Sequence, residues 1–381
     1  MAHERVDAST APMTALVLQG GGALGAYQAG ACEALAERPL DWVAGISIGA
    51  INAALIAGNA PERRVERLHA FWDRVSVGLP LHPDADAPAP VRRWWDNAMA
   101  LWGVAFGVPG FFKPRSPLAW LPQPPASWYD TAPLRETLLE FVDFTRLNDG
   151  PMRFSVGAVD VESGNFTYFD NRQERITPEH VMASGALPPG FGAVKVDGRW
   201  YWDGGLVSNT PLAHVMAGVR EHPEQPITIF QIDLFSARGS LPRTLADVGE
   251  REKDIRYSSR TRFVSDLARE RHELHRRIRR LAELLPDKQR QSEAVQALLR
   301  GTADPTVTLV HVIHRRKAYE SETKDYEFSR LSMHEHWEAG SSDMQASLRL
   351  LEREGETRKG EFRVLDAHPD APMARHAHPH N

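Results

Sequence analysis

The chain has 381 residues, 42% hydrophobic and 25% charged, an ordinary globular composition long enough for one large domain or a core with an accessory region. A formal net charge of −5 gives no whole-protein reason to expect a nucleic-acid partner. Cys32 is the single cysteine, which excludes an intrachain disulfide and a cysteine-based zinc site, and it reads as a small buried residue on a helix.

The opening segment, MAHERVDASTAP, has charges and no apolar core, so no secretory signal is expected and residues 1–13 read as a tail. The longest apolar stretches, VAGISIGAINAALIAG and ALWGVAFGVPGFF, are too short and too broken by Gly and Pro to span a bilayer. A cytoplasmic protein is the default expectation.

Residues 14–60 read strand (TALVL), glycine turn, helix (ACEALAE), strand (LDWVAG), turn and helix (AINAALIAG). That alternation predicts a parallel sheet covered by helices. Residues 61–75 form a polar amphipathic helix. Residues 80–128 turn rich in proline and aromatics, with Trp94, Trp95, Trp102, Trp120 and Trp128, and read as an insertion or cap. In RFSVGAVDVESGNFTYFDN two alternating runs flank ESGN, the pattern of a hairpin. TPEHVMASGALPPGF follows as a helix with Thr177 as N-cap, Pro178 in first position, and Pro188 and Pro189 as its stop. RWYWDGGLVSNTPL gives strand, tight turn and helix start. ITIFQIDLF and TVTLVHVIHR are two more buried strands, separated by a long, Arg-rich helical stretch over 244–300. The tail from 366, DAHPDAPMARHAHPHN, is Pro/His-rich and expected to be disordered.

Three glycine sites carry the chemistry. Gly20, Gly22 and Gly25 satisfy the G-x-G-x-x-G dinucleotide pattern between a strand and a helix. A ribose-binding acid should then end the second strand. Asp41 begins that strand instead, and its end carries AGISIGA. A P-loop is out, because no Gly-Lys-Ser/Thr follows. In Gly45-Ile46-Ser47-Ile48-Gly49, G-x-S-x-G between strand and helix is a nucleophile elbow, whose strained turn needs small neighbours on either side of the serine. A plain glycine turn is the alternative. A serine hydroxyl needs a general base. His214, His311 and His314 are candidates by position, but nothing in the local pattern selects any of them, and structural roles fit all three better. Asp203-Gly204-Gly205 offers another base: a carboxylate ending a strand, followed by glycines that let a second backbone approach. A hairpin turn is the alternative there. Together the sites suggest that the glycine loop supplies amides, Ser47 attacks and Asp203 accepts the proton. The charge in the glycine cradle is then a transient oxyanion.

In this order the motifs resemble the patatin-like phospholipases, a family of lipid acyl hydrolases. The resemblance runs through Gly20, Gly21, Gly22 and Gly25, then Gly45, Ser47 and Gly49, then ASGALPPGFGAVKVDGRWYWDGGLVSNTPL with Asp203, Gly204 and Gly205, over residues 14–235. It implies a three-layer α/β/α sandwich with a mainly parallel central sheet, and a Ser47–Asp203 dyad without histidine. It further implies an oxyanion hole at the glycine loop, no metal and no cofactor. The substrate it implies is a lipid or other acyl ester. Leu24 stands where the family often has Arg or Lys, which leaves neutral esters open as substrates. Residues 236–365, Arg-rich and helical with a returning strand, resemble a C-terminal extension of some bacterial members.

Outside the motifs, Trp94, Trp95 and Trp102 are candidates for contact with the inner membrane face, against the alternative of a satellite core. Leu267, Leu274, Ile278, Leu281 and Leu285 lie on one helical stripe, with Arg269, Arg271, Arg276, Arg277, Arg279 and Arg280 around it. A helix packed on the core, its arginines paired with Glu270, Glu273 and Glu283, is preferred over one lying on anionic lipid. The two competing functions are a dinucleotide-binding oxidoreductase and a catalytically idle lipid-binding protein of the same fold.

Overall fold

The computed structural model describes residues 12–79, 82–84, 86–116, 126–303, 305–315 and 319–367, without the side chains of 246 and 259–262. Trp120, the first eleven residues and the tail from 368 onward therefore lie outside the described residues.

The strands are β1 (Met13–Leu18), β2 (Trp42–Gly45), β3 (Lys113–Pro114), β4 (Tyr129–Asp130), β5 (Arg153–Asp160), β6 (Phe166–Asp170), β7 (Val194–Val196), β8 (Arg199–Asp203), β9 (Ile227–Asp233), β10 (Val307–Ile313) and β11 (Phe362–Asp366). The helices are α1 (Gly25–Glu33), α2 (Ile48–Ala57), α3 (Arg64–Arg74), α4 (Ala89–Phe106), α5 (Ala132–Phe141), α6 (Phe144–Asp149), α7 (Pro178–Ser184), α8 (Leu212–Val219), α9 (Leu245–Glu283), α10 (Asp287–Arg290), α11 (Glu293–Leu299) and α12 (Arg330–Glu354).

One sheet runs β11-β10-β9-β1-β2-β5-β8-β7, with β6 also on β5. The run from β11 to β5 is parallel, while β6, β7 and β8 join antiparallel. β1 is buried on both faces, as a central parallel strand must be. Its Leu16 and Leu18 pack into one apolar cluster with α1, α2, α3 and α12, and its Ala15 and Val17 into another with α8 and α9. These are the three layers that the resemblance implies. The hairpin around ESGN forms as β5 and β6. The predicted helix from Pro178 carries its Thr177 capping box but ends at Ser184, capped by Gly185, before the prolines are reached.

The chain beyond 236 differs from expectation in two ways. It returns two strands to the sheet rather than one, β10 and the unforeseen β11. And α9 turns its leucine stripe outward: Leu267, Leu274 and Leu281 are 51%, 56% and 64% exposed, whereas Ala268, His272, His275 and Ala282 are buried. Small and planar side chains let the helix axis approach the sheet closely, so its larger residues face away. Of the predicted arginine pairs on this helix, Arg277 reaches Glu273 at 3.8 Å, and Arg269 meets Asp266 rather than a glutamate.

Candidate active site

β5 brings the second and third glycine motifs together. Along its edges, Ser155 and Val156 pair with β2 on one side and β6 on the other. Ala158 and Val159 pair with β6 and β8, so β8 occupies the same edge as β2, just beyond its end. Gly45 pairs with Val156 and Asp203 with Ala158, so two strands that run in opposite directions end against each other.

Ser47 sits two residues past Gly45, at the N-cap of α2, with φ 56° and ψ −123°. For a residue with a side chain that left-handed φ is strained, and it persists only where the surroundings enforce it. They do so here by crowding. A Cβ on Gly45 would lie 2.2 Å from the Gly49 carbonyl oxygen, and one on Gly49 would lie 2.4 Å from that of Leu18. The Ser47 amide donates to Ser184 Oγ at 3.0 Å, which in turn donates to the Gly157 carbonyl at 2.7 Å. Ser184, on α7, was assigned no role from sequence. A serine has no marked local pattern, and its partners lie on other elements.

The Ser47 hydroxyl lies beside the carboxylate of Asp203, which accepts the Gly205 amide at 2.7 Å. Asp203 is buried, and burial pushes its carboxyl up to about 6 although the neighbouring Ser47 hydroxyl and the Gly205 amide pull it down. The residues after it form a single 3-10 turn, Gly204–Leu206, rather than a hairpin. Gly204 lets the turn lie against β5, because a Cβ there would meet the Gly157 carbonyl at 2.6 Å.

The glycine loop closes the third side. Asn209, buried and also unassigned from sequence, donates from Nδ2 to the Gly20 carbonyl at 2.9 Å and accepts the Gly20 amide at its own carbonyl at 3.2 Å. It ties the base motif to the first motif. The Gly25 amide turns inward to the carbonyls of Gly22 and Ala23. Of the four glycines expected to hold an oxyanion, Gly20 and Gly25 thus direct their amides into the fold. Among the described residues the amides of Gly21 and Gly22 have no acceptor. Gly22 has φ 56°, and its neighbour Ala23 donates to the Asp325 carbonyl at 2.8 Å, so a segment far along the chain braces the loop. Leu24 is fully buried.

The histidines lie elsewhere, each beside a carboxylate: His214 with Asp170 at 3.3 Å, His311 with Asp233 at 3.4 Å and His314 with Glu320 at 3.2 Å. Asp41 stands just before β2 and accepts the Thr14 amide at 2.7 Å, a strand-pinning contact at the opposite end of β2 from the glycine loop.

A family model described as patatin-like phospholipase matches residues 16–216, more than half of the chain. The chain belongs to the patatin-like phospholipase family. A second model, described as patatin phospholipase, matches residues 255–359, so family likeness extends beyond the sheet motifs into the α9–α12 region of this patatin-like chain. The crystal structure of VipD from Legionella pneumophila is similar over 89% of this chain and 67% of its own, at 14% identity and a TM-score of 0.38. No curated protein matches the sequence. Family membership supports lipid acyl hydrolase activity and, with it, a lipid substrate. Among the described residues no helix is long and apolar enough to cross a membrane.

Proposed function

We propose that this patatin-like protein cleaves carboxyl esters of lipids through a Ser47–Asp203 dyad and an acyl-enzyme. What supports it is a strained serine whose hydroxyl lies beside a buried carboxylate. Ser47 Oγ attacks the ester carbonyl carbon as Asp203 takes the hydroxyl proton. The oxyanion that forms lies against the amides of Gly21 and Gly22, and the first turn of α2 favours negative charge beside Ser47. Collapse breaks the ester C–O bond, and Asp203 returns the proton to the departing alcohol. Water then attacks the acyl-Ser47 ester with Asp203 again as base, which releases the fatty acid and restores the serine.

Asp203 suits both proton transfers. A carboxyl near 6 is a stronger base than an exposed aspartate, yet remains mostly ionised at neutral pH. Leu24 stands where the family often carries a cation, so neutral esters remain in the substrate class.

Lipid esters must be taken from a surface, and α4 supplies an apolar one. Trp94, Leu101, Trp102 and Phe106 are 69%, 67%, 44% and 64% exposed along one side of it. Trp95, grouped with them from sequence, is only partly exposed and its indole nitrogen is buried. Trp102 and Phe106 also line a groove of about 290 Å³ with Val108 and Phe112, suited to an acyl chain. The test is a panel of p-nitrophenyl esters and defined phospholipids given to wild type and Ser47→Ala. Turnover of some lipid ester by wild type alone is the expected result, and equal turnover by both contradicts the dyad.

A further inference from the structure

Far from the glycine motifs in sequence, three side chains meet in the interior: His314 just past β10, Glu320 in the loop that follows, and His336 on α12. All three are buried, and their ligand atoms lie within 4.8 Å of one another. Both imidazoles aim Nε2 at the same carboxylate. His314 Nε2 is 3.2 Å from Glu320 Oε1 and 3.3 Å from Oε2, and His336 Nε2 is 3.3 Å from Oε1.

These distances match the ligand–ligand edges of a metal site. A tetrahedral centre with bonds of about 2.0–2.1 Å to nitrogen and oxygen has ligand–ligand edges of about 3.3–3.4 Å. An octahedral centre with similar bonds has edges of about 3.0 Å. The ring geometry gives an independent check. Two imidazoles on one tetrahedral zinc place their centroids about 5.2 Å apart, and those of His314 and His336 are 5.1 Å apart with planes at 83°.

The charge around the cluster favours a cation. Asp96, Glu250, Asp254, Glu320 and Glu327 are all buried here, and the buried lysine and arginine among them are Lys324 and Arg92. Arg92 is held bidentate by Glu335 at 2.8 and 2.7 Å, and Lys324 by Asp254 at 2.8 Å and Glu250 at 3.4 Å. A divalent ion on Glu320 would offset part of this buried carboxylate charge.

We infer that His314, Glu320 and His336 form a structural site for a divalent metal ion of the zinc class. Two imidazoles and a carboxylate are borderline ligands that suit Zn²⁺, and water would complete the coordination. The ion would play no part in the ester chemistry. It would fasten the 319–329 loop between the end of β10 and α12, and that loop carries the Asp325 carbonyl that receives the Ala23 amide beside the glycine cradle. The second candidate cluster, Glu174, His180 and Asp197, does not compare: Asp197 is exposed and His180 Nδ1 is committed to the Thr177 cap.

The test uses the full chain, stripped with a chelator and titrated with Zn²⁺ and with Co²⁺ as a spectroscopic probe. Expected are one tight equivalent of metal, the intense visible absorption of tetrahedral Co²⁺, and a higher melting temperature on loading. His336→Gln and Glu320→Gln should lose all three, while weak binding by His376, His378 and His380 of the tail persists equally in every form. Exchange of the Ala23 amide should quicken when the metal is removed. The wild-type spectrum needs no variant, so misfolding of a variant cannot mask the outcome. Absence of a tight equivalent in wild type, an octahedral Co²⁺ spectrum, or the same tight binding in folded His336→Gln would overturn the assignment.

Discussion

The side chains of Ser47 and Asp203 come to lie beside each other because β5 offers one edge to both of their strands, β2 pairing as far as Val156 and β8 beginning at Ala158. Parallel and antiparallel neighbours on one edge end face to face, and that junction puts the two side chains within reach of each other.

Replacing the base should remove turnover without removing the fold. Asp203→Asn keeps an acceptor for the Gly205 amide but cannot take a proton, so a loss of about 10²–10⁴-fold in kcat is expected. His214→Ala and His311→Ala should retain activity per folded molecule, since each ring is engaged with Asp170 or Asp233 rather than with Ser47. Steady-state rates normalised to the folded fraction check this. A histidine variant as inactive as Asp203→Asn would turn the dyad into a triad.

The same carboxyl sets a pH dependence of opposite sign for activity and stability. Activity needs Asp203 ionised, so kcat/KM should fall as pH drops through about 6. For stability, burial raises the folded pKa above the unfolded value of about 3.9, so the folded state binds this proton more tightly. That contribution is complete below the unfolded pKa and is lost as pH rises through the folded pKa. At neutral pH the ionised group then costs roughly 3 kcal/mol. Asp203→Asn should therefore melt higher than wild type at pH 7 to 8, with the difference shrinking toward pH 4. Thermal melts across that range, run beside a pH–rate profile, measure both.

Gly22 tests the cradle. An added Cβ would meet the Asp325 carbonyl oxygen at 1.9 Å, on a residue already at φ 56°. Gly22→Ala must shift the loop, and the loss of an aligned amide predicts a fall of about 10²–10³-fold in kcat. Gly164, at φ 70° with nothing nearby, is the control, because Gly164→Ala carries the backbone strain alone. Equal rates for the two variants would remove the oxyanion role from this loop.

Surface contact through α4 predicts binding to neutral liposomes that survives high salt and drops in Trp102→Ala, since apolar insertion depends on buried area rather than charge. The rival surface is α9, where exposed leucines stand among arginines. Docking there would require anionic lipid and weaken as salt screens it, with a Debye length of about 8 Å at physiological strength. Co-sedimentation with neutral and anionic vesicles at two salt concentrations separates them. Binding restricted to anionic vesicles and abolished by salt would move the contact to α9.

What was legible in the sequence is what the local backbone dictates. Gly45 and Gly49 are needed by steric contacts within a few residues of Ser47 or with the adjoining strand, so the elbow stands out as a pattern. Asn209 and Ser184 do not stand out, because the Gly20 and Gly157 carbonyls they bond belong to other elements. The Asp325–Ala23 contact spans almost the whole chain and has no local signature. On α9, helical periodicity identified two faces correctly but not which one meets the sheet. Apolarity pointed to the leucines, whereas close approach selected Ala268 and Ala282.

Acylation of Ser47 is tested most directly by a fluorophosphonate probe followed by peptide mapping. A single adduct on Ser47 is expected, absent in Ser47→Ala and formed much more slowly in Asp203→Asn. An adduct on another residue, or ester turnover by folded Ser47→Ala at the wild-type rate, would contradict it.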